Sequence, residues 1–415
     1  MLRSIVALLH DYNMVYDAKQ HRLRCMGHII NLSVNSFLFV TATDDIEIPQ
    51  EEATLTETLN EIQNWRRFGP LEMLHNIVVN IQASPQRIQE FCLLSKNRRP
   101  ARDNKTRWNS WAHMLNVNTK SPVCEAIQKY LQRHPLDDIA DDTLSAEDWE
   151  TLQQIHEFLD LLATATLELE SSSSTLDGVL PAMDLILSHY EDYKIKYQGE
   201  TTMEAMINAG WRKMNKYYQL TEESSAYIAA LVLNPNFKWQ YVEHNWDATW
   251  LPDAKIMMKL FWEEQYKPQD MSIPVPLTSS ESTTVQPKYS LKDFMRAHQQ
   301  VQIFEDEYAH YCAQDCALEV IPLVWWLEQA QQKKYPNLSR MAIDVLSIPA
   351  MSAEPERVFS GAKHTLTQHR NKLGIELIRA FECLKSWYKL KEFDMGFALR
   401  DELCGEDHST ATTLT

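Results

Sequence analysis

A long apolar stripe at helical spacing most constrains the fold of this chain. Its members recur at intervals that place them on one face of a helix for roughly five turns or more: Trp149, Leu152, Ile155, Leu159, Leu162 and Leu169. Similar stripes recur between residues 53 and 320, for example from Leu71 to Ile81. Each such helix must bury its apolar face against another element, so the pattern predicts a predominantly α fold.

Glycine and cysteine usage exclude several functional classes. The 415 residues include 9 glycines, well below the usual ~7%, and we find neither a dinucleotide-binding fingerprint nor a P-loop. The 7 cysteines are odd in number and scattered, which favours a reduced intracellular protein over a disulfide scaffold. No apolar run approaches the ~18 residues of a membrane span, so we expect no membrane insertion.

The net charge of −17 restricts how the chain could bind nucleic acid. Phosphate neutralisation supplies most of the affinity for DNA, so a protein whose whole surface served DNA should be basic. We therefore expect DNA contact only through local basic patches. The densest patch runs from Lys96 to Lys105 and includes Arg102, and a second one contains Lys363, Arg370 and Lys372.

Coarse periodicity gives the order of elements along the chain. We predict a helix over residues 2–13, a short strand over 21–25, a buried helix over 28–39, a boundary within 44–52, a disordered linker over about 267–289, a helix over 290–312, a short helix around Trp325 and Trp326, a helix over 338–346 and a last helix from Gly374.

A Cys-x-x-His pair, Cys25 and His28, follows the predicted strand. The pair could supply half of a zinc site, but two further ligands at close spacing are absent. A buried thiol with a hydrogen-bonded histidine is the alternative interpretation.

Thr106-Arg107-Trp108 follows the first basic patch. Cations beside an exposed aromatic ring suit a stacked or flipped base, because they offer phosphate neutralisation and a ring face together. The alternative is a core tryptophan at the start of a helix, next to a solvated run of charge.

The stretch from Ser347 to Ser360 combines an apolar run, a helix cap and an acid. Ser352 can cap a helix and Pro355 suits its first turn. Glu356 would lie near the positive end of the helix dipole, which favours its ionised form and suits a metal ligand. The alternative is that Glu356 only complements the dipole.

Four segments, in order, resemble the hAT superfamily of DNA transposases: Arg24-Cys25-x-x-His28-x-x-x-Leu32, Thr106-Arg107-Trp108, Leu231-Val232-Leu233-Asn234-Pro235-x-x-Lys238 and Ile348-Pro349-Ala350 through Ser360. The resemblance implies a partial ribonuclease H-like α/β core interrupted by a large all-helical insertion. It also implies that Glu356 is the third catalytic acid, and that Cys25 and His28 are active-site neighbours rather than zinc ligands.

The same resemblance implies surfaces for DNA and for a second copy of the chain. Arg107 and Trp108 would stabilise a DNA hairpin at the flanking end, with further contacts from Lys105, Arg102, Lys363, Arg370 and Lys372. The last helix would supply the dimerisation face, through Ile378, Phe381, Leu384, Trp387 and Tyr388. A monomer core is the alternative for that face.

The chain departs from the family where the other two catalytic acids are expected. In the family two aspartates precede the Cys/His segment on strands, and with the glutamate they hold two Mg²⁺ or Mn²⁺ ions. Here Asp11 and Asp17 are the only carboxylates before Cys25, and neither is predicted to end a strand. We therefore expect no bound metal, and Glu356 would become a metal ligand only if the aspartates were restored.

These observations predict a nuclear, N-terminally truncated hAT transposase-like protein that forms a homodimer or higher oligomer, contacts transposon-end DNA and is inactive alone. The alternatives are an active transposase whose N-terminus is missing from this chain, and a host-recruited interaction module without DNA binding. The predicted domains are a partial ribonuclease H-like core (1–50), a helical insertion (51–320), a C-terminal dimerisation region completing the core (321–400) and a flexible tail (401–415).

Overall fold

The computed structural model describes residues 9, 16–17, 19–39, 69–103, 108–134, 139, 142–171, 174–268, 306–352, 358 and 374–389. Several predicted features lie outside these residues. They are the helix over 2–13 apart from Leu9, the boundary within 44–52, almost all of the linker over 267–289 and the tail from 401.

The described residues form helices in this order: α1 Met26–Leu38, α2 Pro70–Gln82, α3 Pro85–Leu94, α4 Trp108–Asn118, α5 Val123–Arg133, α6 Ala146–Leu169, α7 Val179–Lys196, α8 Thr201–Gln219, α9 Ser225–Leu233, α10 Lys238–Asn245, α11 Leu251–Gln265, α12 Glu307–Cys312, α13 Pro322–Leu327, α14 Gln329–Lys334, α15 Pro336–Leu346 and α16 Ile375–Lys389. Short 3₁₀ turns, Leu176–Gly178 and Leu220–Glu223, precede α7 and α9. The prediction of a predominantly α fold is confirmed.

The chain divides into two compact units, Met1–Met351 and Ser352–Thr415. In the first unit, α9 is the central element, because every residue from Tyr227 to Leu233 is buried. Helices α7, α10, α11 and α15 all contact it. A short helix that is apolar all round can be stable only when other elements cover it on every side.

Helix α1 is buried, as the periodicity of residues 28–39 predicted, and packs mainly against α8. Gly210 of α8 lies at this contact and has no side chain. Ser33 of α1 donates a hydrogen bond to the Gly210 carbonyl at 2.9 Å, and Tyr190 of α7 lies 2.9 Å from the same hydroxyl. Three helices therefore meet at one buried polar point.

The predicted strand over residues 21–25 is wrong. This segment ends in an extended Cys25 but pairs with no strand among the described residues. The Arg24 amide instead donates to the Tyr227 hydroxyl at 2.9 Å, and the Arg24 guanidinium donates to Glu223 at 2.9 Å. Within the described ranges the only β pairing is an isolated bridge between Thr175 and Pro349. The ribonuclease H-like core therefore stays a prediction.

The second unit contains α16, the last strong helix expected from Gly374 onward. Among the helices that the structure describes, none is long and apolar enough to cross a membrane. The predicted division at residues 50, 320 and 400 stays a prediction.

Candidate functional site

The first candidate surface is a loop of cations, residues 96–103, which we call the basic loop. Its four basic side chains are all exposed: Lys96, Arg98, Arg99 and Arg102. Among the residues that the structure describes, none of the four has a carboxylate partner. Four neighbouring cations without a described carboxylate partner give an acidic protein a local site of positive potential, which suits a polyanion.

Polar side chains beneath the basic loop fix its backbone. Asn118 of α4 accepts from the Ala101 amide at 3.0 Å and donates to the Ala101 carbonyl at 2.8 Å. Gln82 donates to the Pro100 carbonyl at 2.9 Å, and the fully buried Ser95 hydroxyl donates to the Arg98 carbonyl. The cations therefore project from an ordered loop, and sequence reasoning identified none of these three supporting residues.

A buried His75–Asp103 pair closes the end of this loop. His75 of α2 hydrogen-bonds Asp103 through Nδ1, and both residues are buried. The His75 ring also stacks on Trp111 of α4, with 5.8 Å between ring centroids. Asp103 is the last described residue before the Thr-Arg-Trp segment. Through His75 it is linked to α2, and through the stacking of His75 on Trp111 it is linked to α4.

The structure distinguishes the two interpretations left open for the Trp108 ring, an exposed ring or a core tryptophan at the start of a helix, while the proposed DNA role of Trp108 stays a prediction. Trp108 is the first residue of α4 and is only 3% exposed, and its amide donates to Asn31 of α1 at 3.3 Å. The ring is therefore buried, which agrees with a core tryptophan at the start of a helix. Arg102, which precedes Trp108 in the basic loop, is exposed. Lys105 and Arg107 lie outside the described residues.

The Cys/His segment meets the start of the C-terminal signature. The Met26 amide donates to the Ala350 carbonyl at 3.1 Å. Around the isolated bridge between Thr175 and Pro349, the Leu176 amide donates to the Ile348 carbonyl at 2.9 Å and the Ala350 amide donates to the Ser174 carbonyl at 3.3 Å. Residues far apart in the chain thus come together just before Ser352. At this junction Cys25 is half-buried and His28 is exposed.

A metal centre is not present among the described residues. No group of three or more His, Cys, Asp or Glu side chains there could hold a metal ion. Cys25 and His28 therefore do not form a complete zinc site with described neighbours. Glu356, Lys363, Arg370 and Lys372 lie outside the described residues, so their predicted roles stay predictions.

The Leu231–Lys238 segment has a structural role. Asn234 ends α9 and donates to the buried Asp177 at 2.6 Å, and the Trp326 indole donates to the Leu233 carbonyl at 2.7 Å. Lys238, only 5% exposed, donates to the carbonyls of Tyr311 and Gln314 at 2.8 and 3.0 Å. Burial lowers the pKa of the Lys238 ammonium. This segment ties α9 to the elements around α12 and α13.

Helix α16 presents an apolar face. The exposed fractions of Phe381, Leu384, Trp387 and Tyr388 are 44%, 46%, 48% and 80%, and Ile378 is half-buried. Leu377, 47% exposed, lies one turn before Phe381 on the same face. Sequence reasoning missed it, although the spacing of 377, 381, 384 and 388 would have revealed it.

Two family models match this chain. The ZBED1 RNase-like helical domain matches residues 23–158, and the hAT family C-terminal dimerisation region matches residues 293–388. The basic loop lies in the first match, and α16, apart from its last residue, lies in the second. Together they cover more than half of the chain and define a helical, hAT transposase-like class of protein.

Curated relatives extend the similarity along the chain. "Putative transcriptional regulator tpeD" of Talaromyces stipitatus is 26% identical over 90% of this chain and 42% of its own length. "Zinc finger BED domain-containing protein RICESLEEPER 2" of Oryza sativa subsp. japonica is 23% identical over 92% of this chain and 53% of its own length. "Putative AC transposase" of Zea mays is 24% identical over 91% of this chain and 45% of its own length.

The chain belongs to the hAT transposase-like family and contains that family's dimerisation region. It spans about half, or less, of the length of these three relatives.

Proposed function

We propose that this protein is a nuclear, DNA-associated homodimer of the hAT transposase-like family, and that α16 supplies the contact between its two copies. The observation that carries the proposal is the exposed apolar face of α16 inside the matched dimerisation region. Leu377, Phe381, Leu384 and Tyr388 repeat at spacings of four and three, the pattern of a helix that packs on a partner helix. The monomer-core alternative predicts instead that these side chains pack within a single copy of the chain.

Sedimentation velocity of two charge variants tests this face. Leu384→Glu places a carboxylate on the apolar face, so we expect it to shift the protein from dimer to monomer, because an interface core does not accommodate an unpaired charge. Ser386→Glu adds the same charge on the opposite side of α16 and should leave the dimer intact. Equal behaviour of the two variants would contradict the proposal.

We further propose that the basic loop contacts the DNA backbone. Its four cations have no described carboxylate partner, and polar contacts from α2 and α4 hold its backbone. Phosphate contact needs positive charge at a fixed place and carries no sequence information of its own. This arrangement allows a chain with a net charge of −17 to bind DNA locally.

The salt dependence of binding tests the basic loop. Replacing Lys96, Arg98, Arg99 and Arg102 by alanine should weaken binding to duplex DNA, and it should reduce the slope of log K against log salt by about 0.9 for each lost phosphate contact. The control replaces four cations that have carboxylate partners, Lys129, Arg133, Lys255 and Lys259. It changes the net charge equally, so an equal loss in the control would contradict a localised site.

Strand cleavage by the 415-residue polypeptide alone is not part of this proposal. Two-metal cleavage needs several carboxylates around the ions. The resemblance provides one acid, Glu356. We expect no nicking of supercoiled plasmid in Mg²⁺ or Mn²⁺, and nicking abolished by Glu356→Gln would contradict this expectation.

A further inference from the structure

An aromatic cavity opens where α7, α8, α9 and α11 meet. It measures about 150 Å³, and Tyr218, Tyr227, Trp246 and Trp250 contribute to its lining. Trp250 is 53% exposed and Tyr227 is buried, so the rings extend from the mouth of the cavity to its floor. Neighbouring indoles Trp246 and Trp250 meet edge to face at 6.3 Å, and Tyr218 meets Trp246 at 6.4 Å.

A single carboxylate holds part of this wall in place. Asp184 of α7 accepts from the Trp246 indole at 3.0 Å and from the Tyr241 hydroxyl at 2.9 Å, and Tyr218 also bonds it. The Tyr227 hydroxyl is occupied as well, since it accepts from the Arg24 amide. Two wall rings and the floor ring are therefore fixed before any ligand arrives. Pre-organised rings lose little entropy on binding.

Two further carboxylates line the cavity. Glu222 lies in the 3₁₀ turn before α9, Asp253 lies in the first turn of α11, and both are exposed. In the part of the chain that the structure describes, neither is paired with a basic side chain. Arg24 holds the turn that contains Glu222, through its contacts with Leu220 and Glu223.

We propose that this cavity binds an organic cation, an alkylammonium group of the quaternary or methylated type. The faces of tryptophan and tyrosine attract such cations through their ring quadrupole, and the two carboxylates add opposite charge at the rim. An inorganic cation would prefer a set of oxygen ligands, which this wall of rings does not provide. The volume suits one head group rather than a larger ligand.

Saturation-transfer NMR on the full chain tests the proposal with choline as the probe. Its neutral isostere 3,3-dimethylbutan-1-ol has the same shape without the charge, so we expect transfer to choline and little transfer to the isostere. Trp250→Ala should weaken choline binding about fivefold, in keeping with one exposed cation–π contact. Asp253→Asn should weaken it about twofold to fivefold. Equal binding of choline and the isostere would overturn the proposal.

A matched control separates the cavity from general surface charge. Glu264→Gln removes an exposed carboxylate from α11, the helix of Asp253, at a position that does not line the cavity. We expect unchanged choline binding in this variant, and a loss equal to that of Asp253→Asn would overturn the proposal. Because Asp253→Asn replaces an exposed side chain, its effect does not depend on whether Trp250→Ala folds normally.

A second probe distinguishes two possible sources of the organic cation, a modified side chain of a partner protein and a small metabolite. An acetylated and amidated Gly-trimethyllysine-Gly peptide presents the same head group on a protein chain. Tighter binding of this peptide than of choline would assign the site to a modified basic side chain of a partner protein, whereas tighter binding of choline would assign it to a small metabolite. Failure of both probes to bind would overturn the proposal and would leave dimerisation and DNA contact unaffected.

Discussion

At the scale of single residues, sequence patterns locate the motifs, whereas the structure is needed to identify the distant residues that they contact. The two motifs that contain Cys25 and Asn234 could be located from the sequence. The residues that these motifs contact in the folded chain could not. Asn234 reaches Asp177, and Met26 reaches Ala350, across long stretches of chain. Such contacts depend on how the helices pack, which local periodicity does not specify.

Trp108 provides the first residue-scale prediction. Because its ring is buried, Trp108→Ala should lower the free energy of unfolding by about 3–5 kcal/mol, the usual cost of deleting a large core side chain. Urea denaturation measures this change. Trp250→Ala, at an exposed tryptophan, is the control and should cost far less. A Trp108→Ala variant of full stability that had lost only DNA binding would favour the stacking role instead.

Cys312 provides a pH prediction. Burial raises the pKa of its thiol from 9.0 to about 11. Because the folded-state pKa is the higher one, the stabilisation is fully present below pH 9 and is lost as the pH rises through 11. Cys312→Ser does not titrate in this range, so between pH 8 and 11 its unfolding free energy should fall less than that of the wild type, by roughly 2 kcal/mol. Parallel pH curves for the two proteins would contradict this prediction.

At the scale of elements, helix positions were predictable and strand pairing was not. The stripe from Trp149 to Leu169 lies in α6, and the buried periodicity of residues 28–39 matches α1. The prediction of a strand over residues 21–25 was wrong because alternation of polar and apolar residues does not show whether a second strand is available for pairing. Arg24 of this segment hydrogen-bonds instead to side chains: its amide donates to Tyr227 of α9, and its guanidinium donates to Glu223 of the 3₁₀ turn.

Gly210 provides an element-scale prediction, since it sets how closely α8 approaches α7. An added Cβ at this position would lie 2.8 Å from the Tyr190 Cζ, closer than packed atoms tolerate. Gly210→Ala should therefore destabilise the protein by about 1–3 kcal/mol, despite the better helix propensity of alanine. Thermal unfolding measures the loss.

A matched control for Gly210 lies in the same helix. Ala209→Gly, at a half-buried position, tests propensity alone and should cost about 0.5–1 kcal/mol. A Gly210→Ala variant more stable than the wild type would show that α7 and α8 can separate at no cost.

At the scale of the whole molecule, charge and apolar surface are distributed unevenly. The chain is acidic overall, with 57 acidic and 40 basic residues, yet the basic loop gathers four exposed cations in one place. Apolar side chains are likewise exposed together on α16. The composition alone predicted that DNA contact must be local, but only the structure shows how Asn118 and Gln82 hold the loop.

The most direct test of the proposed assembly is the mass of the wild-type chain in solution. Light scattering over a dilution series should give twice the chain mass of 48.4 kDa at high concentration, with any dissociation appearing only on dilution. A mass of 48.4 kDa at every concentration would contradict dimerisation through α16.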